Sequence, residues 1–306
     1  MSEKPLTRTQ QRILDGAYLI EVENPKALLF QHTVLCQVAL PYRNPGSSVQ
    51  TWDRRSGAVS LSIRSGRIMD PRTDQWRDAG IPYGVKARLI LLFMNAEAIR
   101  NKSPVVELGK TFRRFLARLE LDPNGRNTRG VKDQLLRLAA AQVSLAVAYS
   151  KNRSRQVQTQ IVGGLDLWSE QDGDRSITWP TTVQLSTDYF AGLLEHGVPL
   201  DQRAIFNLRH NCRALDVYAW LSQRLCRVKQ PVLIPWHDLQ LQFGDGDPHS
   251  FRQAFRKALQ LALSQYPKAQ VTPEERGLRV FESPPPVMNQ RQQLRLVQAL
   301  EQGKRA

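Results

Sequence analysis

The feature that most restricts how this chain can fold is a change of apolar period near residue 84. In Ala58 to Ile63 the apolar residues Val59, Leu61 and Ile63 alternate with Ala58, Ser60 and Ser62, as in a half-buried strand. After Ile81-Pro82-Tyr83-Gly84 they fall at Leu89, Leu92, Phe93, Ala96 and Ile99, the i, i+3, i+4, i+7, i+10 spacing of one buried helix face. A short apolar run from Val105 to Leu108 follows Pro104. A second helix then carries Phe112, Phe115, Leu116 and Leu119 on one side and ends at Asp122-Pro123-Asn124-Gly125. A third, with Thr128 as its expected cap, turns Val131, Leu135, Leu138 and Ala139 inward and leaves Arg129, Lys132 and Arg137 off that face. Two alternating strands close the series. One has Val143, Leu145, Val147 and Tyr149 on a face, the other Val157, Thr159 and Ile161, and the loop Ser150 to Gln156 joins them.

The same order returns further on. Asp201 to Leu208 and Cys212 to Cys226 read as helices, the latter with Leu215, Tyr218, Leu221 and Leu225 in register. Val232 to Ile234 is a short strand, and Trp236, Leu239 and Phe243 mark a brief helix closed by Gly244. Asp247-Pro248 opens a longer helix with Phe251, Phe255, Leu259 and Ala262 inward and Ser250, Arg252, Gln253, Arg256 and Lys257 on its other sides. A hairpin from Ala269 to Glu282 follows. Helix, short strand, helix, helix and hairpin is the order of a winged helix-turn-helix, whose third helix fits a major groove about 12 Å wide. The expected fold is α+β, with two tandem winged helix-turn-helix domains after an N-terminal β-rich extension. The divisions are 1–80 for the extension, 81–180 and 181–287 for the two domains, and 288–306 for a Gln-rich tail, with the polar stretch Ser169 to Pro180 as the boundary between the domains.

Charge bears on the partner. Lys and Arg number 43 against 28 Asp and Glu, a net of +15, which points to a polyanion. From Arg100 to Arg155 there are 13 positive and 4 negative residues, so this stretch alone carries +9. Double-stranded DNA is the expected partner. The expected contacts are Arg126, Arg129, Lys132 and Arg137 on the first reading helix, Lys151, Arg153 and Arg155 on the hairpin, and Ser250, Arg252, Gln253, Arg256 and Lys257 on the second reading helix. Arg and Gln suit guanine and adenine edges, whereas three cations in the hairpin suit phosphate. No apolar run reaches the ~18 residues of a membrane span. The first residues lack the apolar core of a secretory signal, and the three cysteines, Cys36, Cys212 and Cys226, are few and scattered. A reducing, cytoplasmic location is expected.

Signals of enzymatic chemistry are weak, and no catalytic residue, metal or cofactor is expected. Gly109-Lys110-Thr111 imitates the end of a phosphate-binding loop, but Pro104 stands where that motif needs Gly. Asp245 and Asp247 lack a third carboxylate and read as loop and cap. The five histidines form no His-x-His pair, and Cys212 and Cys226 lack zinc spacing and read as core. Trp220, Tyr218, Phe112 and Phe115 lie on helical faces and read as core as well.

Several motifs in fixed order carry a family resemblance over about residues 30 to 287. They are Leu35-Cys36-Gln37 through Leu40-Pro41-Tyr42-Arg43, Ile81-Pro82-Tyr83-Gly84 with Arg88-Leu89-Ile90, and Leu121-Asp122-Pro123-Asn124-Gly125-Arg126 with Lys132-Asp133-Gln134-Leu135. To these are added Thr159-Gln160-Ile161-Val162, Asp166-Leu167-Trp168, Val198-Pro199-Leu200-Asp201, Ala214-Leu215-Asp216-Val217-Tyr218-Ala219-Trp220-Leu221, Gln242-Phe243-Gly244 and Ser283-Pro284-Pro285-Pro286-Val287. In these the chain resembles the RepA family of plasmid replication initiators, and departs from its commoner pattern at Asp245-Gly246-Asp247-Pro248-His249. The resemblance implies binding of repeated origin sites, iterons, through two winged helices, help in opening the neighbouring DNA, and recruitment of host replication proteins such as the host initiator and helicase. It also implies a monomer–homodimer equilibrium, in which dimers repress the initiator's own promoter and copy number is thereby controlled. A repressor of the same fold without initiator activity is the alternative.

Overall fold

The computed structural model describes residues 8–25, 27–70, 73–150, 153–165, 181–244 and 246–287. Among them are ten α-helices and fourteen short strands in five small sheets, a mixed α/β architecture. The N-terminal part contains α1 (Arg8–Val22), β1 (Leu28–His32), α2 (Thr33–Gln37) and the strands β2 (Thr51–Ser56), β3 (Val59–Arg64), β4 (Arg67–Asp70) and β5 (Gln75–Asp78). The expectation of a mostly β segment therefore fits residues 51–78 and is corrected before them, where two helices stand. Next come α3 (Gly84–Asn101), β6 (Val105–Glu107), α4 (Phe112–Arg118), α5 (Gly125–Ala140), β7 (Gln142–Ser150), β8 (Arg153–Gln160), β9 (Val162–Leu165) and β10 (Thr182–Leu185). The C-terminal part has α6 (Thr187–His196), β11 (Gly197–Asp201), α7 (Gln202–Leu208), α8 (Cys212–Arg224), β12 (Val232–Pro235), α9 (Trp236–Phe243), α10 (Pro248–Ser264), β13 (Val271–Pro273) and β14 (Gly277–Val280).

All sheet pairings are antiparallel, and several cross the expected divisions. β1 pairs with β11, β3 with β7, and β6 with β10. The hairpin β7–β8 is consequently not a free two-stranded wing. It forms two strands of a four-stranded sheet in the order β2-β3-β7-β8. Its strands also run longer than expected, so Arg153 and Arg155 are strand residues rather than loop residues. The second hairpin keeps the compact order β12-β14-β13. The Ser169 to Pro180 boundary and the tail from Met288 lie outside the described residues.

α3 is buried on every side from Ala87 to Ala98, as a helix at the centre of a core must be. Its polar residues are each matched. Asn95 donates to the Phe30 carbonyl at 3.0 Å and accepts from the Tyr189 hydroxyl at 3.0 Å, and the Glu97 carboxylate holds Arg118 at 2.8 Å and also Arg100. Arg88 has all five donors used. Its Nε and one Nη reach Asp216 of α8 at 2.8 and 2.6 Å, and the remaining N–H groups go to the carbonyls of Leu40, Pro41 and Gly84. Burial opposes the Arg88 charge, yet the Asp216 carboxylate beside it holds its pKa above the ordinary arginine value. Three of the sequence motifs thus meet at one ion pair that joins the two helical units.

His32 occupies another junction. Its Nδ1 accepts from the Val34 amide at 3.3 Å to cap α2, and its ring stacks on Tyr189 at 5.2 Å. Burial, reinforced by His196, pushes its pKa down to about 4 from 6.5. The folded protein keeps this imidazole neutral where the unfolded chain would bind a proton. Stability is therefore full above pH 6.5 and is lost as the pH falls toward 4, by up to about 3 kcal/mol. Urea unfolding at pH 7 and pH 4.5 should show this loss, and His32→Asn, which retains a capping acceptor, should flatten part of it. An unchanged pH profile in that variant would contradict the assignment.

Candidate nucleic-acid interface

α5 begins one turn earlier than the sequence suggests. Asn124, not Thr128, is its cap, accepting from the Asn127 amide at 2.8 Å, while the Asn127 side chain donates to the Asp122 carbonyl. Val131, Leu135 and Leu138 are buried. Opposite them Arg126 and Arg129 are exposed at the N-terminal end. Lys132 is half-buried, its ammonium 5.6 Å from the Phe112 ring centre. Arg137 has a different role. Its Nε bonds Asp133 at 2.9 Å, its Nη1 donates to the Ile81 carbonyl at 3.2 Å, and its guanidinium lies over Tyr83, so it braces the chain leading into α3.

On the hairpin, Arg153 is exposed at the start of β8. Arg155 pairs with Val147 in the ladder; its side chain and the whole of Lys151 lie outside the described residues.

α10 is built for display. Asp247 caps it, accepting from the Ser250 amide at 2.7 Å, and these bonds hold the Asp247 carboxyl below its ordinary value. Pro248 fills the first helical position, where its missing N–H is no loss. Asp247 is thereby placed as a cap, whereas Asp245 lies outside the described residues. Phe251, Phe255, Ala258, Leu259 and Ala262 are buried; Ser250, Arg252, Gln253, Arg256 and Lys257 are all exposed. Arg256 also rests over Trp236, 5.4 Å from the ring centre. The approach to the helix is held from two sides: Arg54 of β2 donates to the Gly244 carbonyl at 2.5 Å, and Arg213 of α8 donates to the Phe243 carbonyl at 3.3 Å. Cations at the carbonyl end of α9 are favoured by its dipole. Gly244 leaves room for Phe251, since a Cβ there would lie 2.2 Å from the ring.

The charge count in sequence therefore mixed two populations. Arg54, Arg88, Arg118, Arg137, Arg203 and Arg213 donate to backbone carbonyls or to buried carboxylates and act as internal braces. Left on the surface beside α5 are Lys110, Arg113 and Arg114 around the start of α4, outside the contact set expected from the helix and hairpin. The second hairpin differs from the first: its turn presents Glu274 and Glu275 with Arg276, and Glu274 pairs with Arg279. Cys212 and Cys226, expected in the core, are only half-buried, while Cys36 is buried. Trp220, Tyr218 and Phe115 are fully enclosed. Among the described residues no group of His, Cys, Asp and Glu is arranged to hold a metal ion, and no helix is long and apolar enough to cross a membrane.

A family model described as plasmid encoded RepA protein matches residues 81–236, just over half of the chain. The chain belongs to the RepA family of plasmid replication initiators. The matched RepA segment runs from the start of α3 to the start of α9 and includes α5 and the first hairpin, while α10 lies beyond it. None of the curated proteins compared matches this RepA-family chain. Its fold is similar to a crystal structure of domains 2 and 3 of RctB, a selenomethionine derivative, at 13% identity and a TM-score of 0.51, covering 84% of this chain and 99% of that one. A second crystal structure of RctB domains 2–3 aligns at 13% identity with a TM-score of 0.46, over 81% of this chain and 94% of that one.

Proposed function

We propose that this RepA-family protein initiates plasmid replication by binding repeated sites in the origin as duplex DNA, through two winged-helix units. One spans residues 81–180 with α5 as reader, the other 181–287 with α10. The observation that carries this reading is the outer face of α10. Five polar or cationic side chains surround a buried aromatic stripe, and the helix contains no carboxylate. Arg252, Gln253 and Arg256 read base edges, with Ser250 and Lys257 beside them. Arg126, Arg129 and Lys132 serve α5, and Lys151, Arg153 and Arg155 meet flanking phosphates, joined by Lys110, Arg113 and Arg114 at the helix that crosses the backbone. Arg137 acts from behind by fixing α5. Monomers bound to iterons open the adjacent duplex and recruit the host initiator and helicase, and dimers repress the protein's own promoter.

Two substitutions separate the roles. Arg153→Ala is expected to weaken specific and random DNA about equally, whereas Arg256→Ala should lose about 1–3 kcal/mol of discrimination between them. Competition binding with cognate and scrambled duplexes measures both, and equal behaviour of the two variants would sink the assignment of phosphate contact and reader. The repressor alternative is separated by supplying the protein in trans to a plasmid that carries only the origin. An initiator supports its replication; a repressor does not.

A further inference from the structure

Away from both reading helices, another group of cations lacks an acidic neighbour. The end of α8 and the turn after it bring Arg224, Arg227 and Lys229 around a cavity of about 540 Å³ that Gln230 and Ser56 also line, and no carboxylate belongs to its wall. Arg224 is half-buried. Its Nε is out of contact with solvent and has no hydrogen-bond partner among the described residues. Burial alone pulls its pKa below the ordinary arginine value, with no nearby charge raising it again. Arg88, buried more deeply, has every donor answered; the Arg224 guanidinium lies 6.0 Å from the Trp220 ring centre, and its Nε is left without a hydrogen-bond partner. A buried donor of this kind is costly unless an acceptor from outside the chain pairs with it.

We propose that this cavity binds a phosphate group. Two arginine forks and a lysine within six residues match the charge and the several acceptor oxygens of a phosphate. No residue of α10 belongs to the cavity wall. Val232, in the cavity wall, pairs with Val280, at the opposite end of the β12–β14 ladder from Pro235 and Gly277, where the second hairpin turns. The phosphate comes either from a small free anion or from DNA running past the rear of the second unit.

Thermal melting of the full chain with sodium pyrophosphate, at fixed ionic strength, tests this. The wild type should show a saturable rise in Tm. Arg224→Gln, titrated against its own anion-free Tm, should lose at least tenfold in apparent pyrophosphate affinity. Arg227→Gln, at an exposed position, should weaken binding in the same direction, and Arg276→Gln, exposed in the acidic turn of the second hairpin, should not. In parallel, the DNA affinity of Arg224→Gln is measured against salt. A salt slope shallower by about one identifies the phosphate as DNA-borne. An unchanged slope with a lost pyrophosphate response identifies a free anion. Identical pyrophosphate and DNA behaviour in wild type and Arg224→Gln, or a response to polyglutamate in place of phosphate, would overturn the proposal.

Discussion

Replacing Asp216 by alanine is expected to lower the stability of the fold by about 3–5 kcal/mol, the usual result of removing one partner from a buried ion pair. The side chains of Arg88 and Asp216 are only 3% and 11% exposed, so water cannot replace the lost carboxylate. The guanidinium would remain among the carbonyls of Leu40, Pro41 and Gly84, which orient it but do not neutralise it. Tyr42, whose ring lies between Arg88 and Arg213 at 5.1 and 4.9 Å, would feel the same excess charge. The double change Arg88→Met with Asp216→Leu should recover only part of the loss, because it orphans those carbonyls. Urea denaturation of the three proteins measures this, and a loss below about 1 kcal/mol for Asp216→Ala would show that the pair is not desolvated. DNA affinity should fall along with stability, since α3 and α8 anchor the two reading units through this contact.

Affinity for cognate DNA should drop on the order of 10³-fold or more between 50 and 200 mM salt, given six or more phosphate contacts. Exposed cations sufficient for that number stand at Lys110, Arg113, Arg114, Arg126, Arg129, Arg153, Arg252, Arg256 and Lys257. The internal braces should not contribute, so the slope follows the surface set rather than the net charge of +15. Changing Arg113 and Arg114 together to Gln should reduce the slope by about two counterions. A flat titration of the wild type would contradict phosphate-driven binding.

Much of the helical framework was legible because burial imposes its period directly. The buried faces of α5 and α10 are those that the spacing of their apolar residues requires, whereas α3 and α8, where the spacing marks a single face, are buried on every side over Ala87–Ala98 and Ala214–Gln223. α1 escaped notice for the converse reason. Ile13, Ala17 and Ile20 turn partly inward while Leu14, Tyr18, Leu19 and Val22 stay exposed, so apolar residues ring the helix and no single face declares itself. The cap of α5 was misplaced by one turn because Asp122-Pro123-Asn124-Gly125 carries a strong turn signal, and Asn124 serves both as the last turn residue and as the cap. Long-range pairing was illegible in principle. Nothing local says that β3 will close against β7, or that Arg88 will meet a carboxylate 128 residues away. For the same reason charge clustering located the basic region but could not separate Arg137, committed to Asp133 and Ile81, from Arg129, committed to neither.

The central claim is that two reading helices on one chain engage repeated origin sites. Footprinting the purified protein on the DNA flanking its own coding sequence tests it most directly. Each bound unit should protect two successive major grooves about 34–36 Å apart, and the protected sites should recur as a phased ladder. A single isolated operator, or protection that does not depend on sequence, would contradict it.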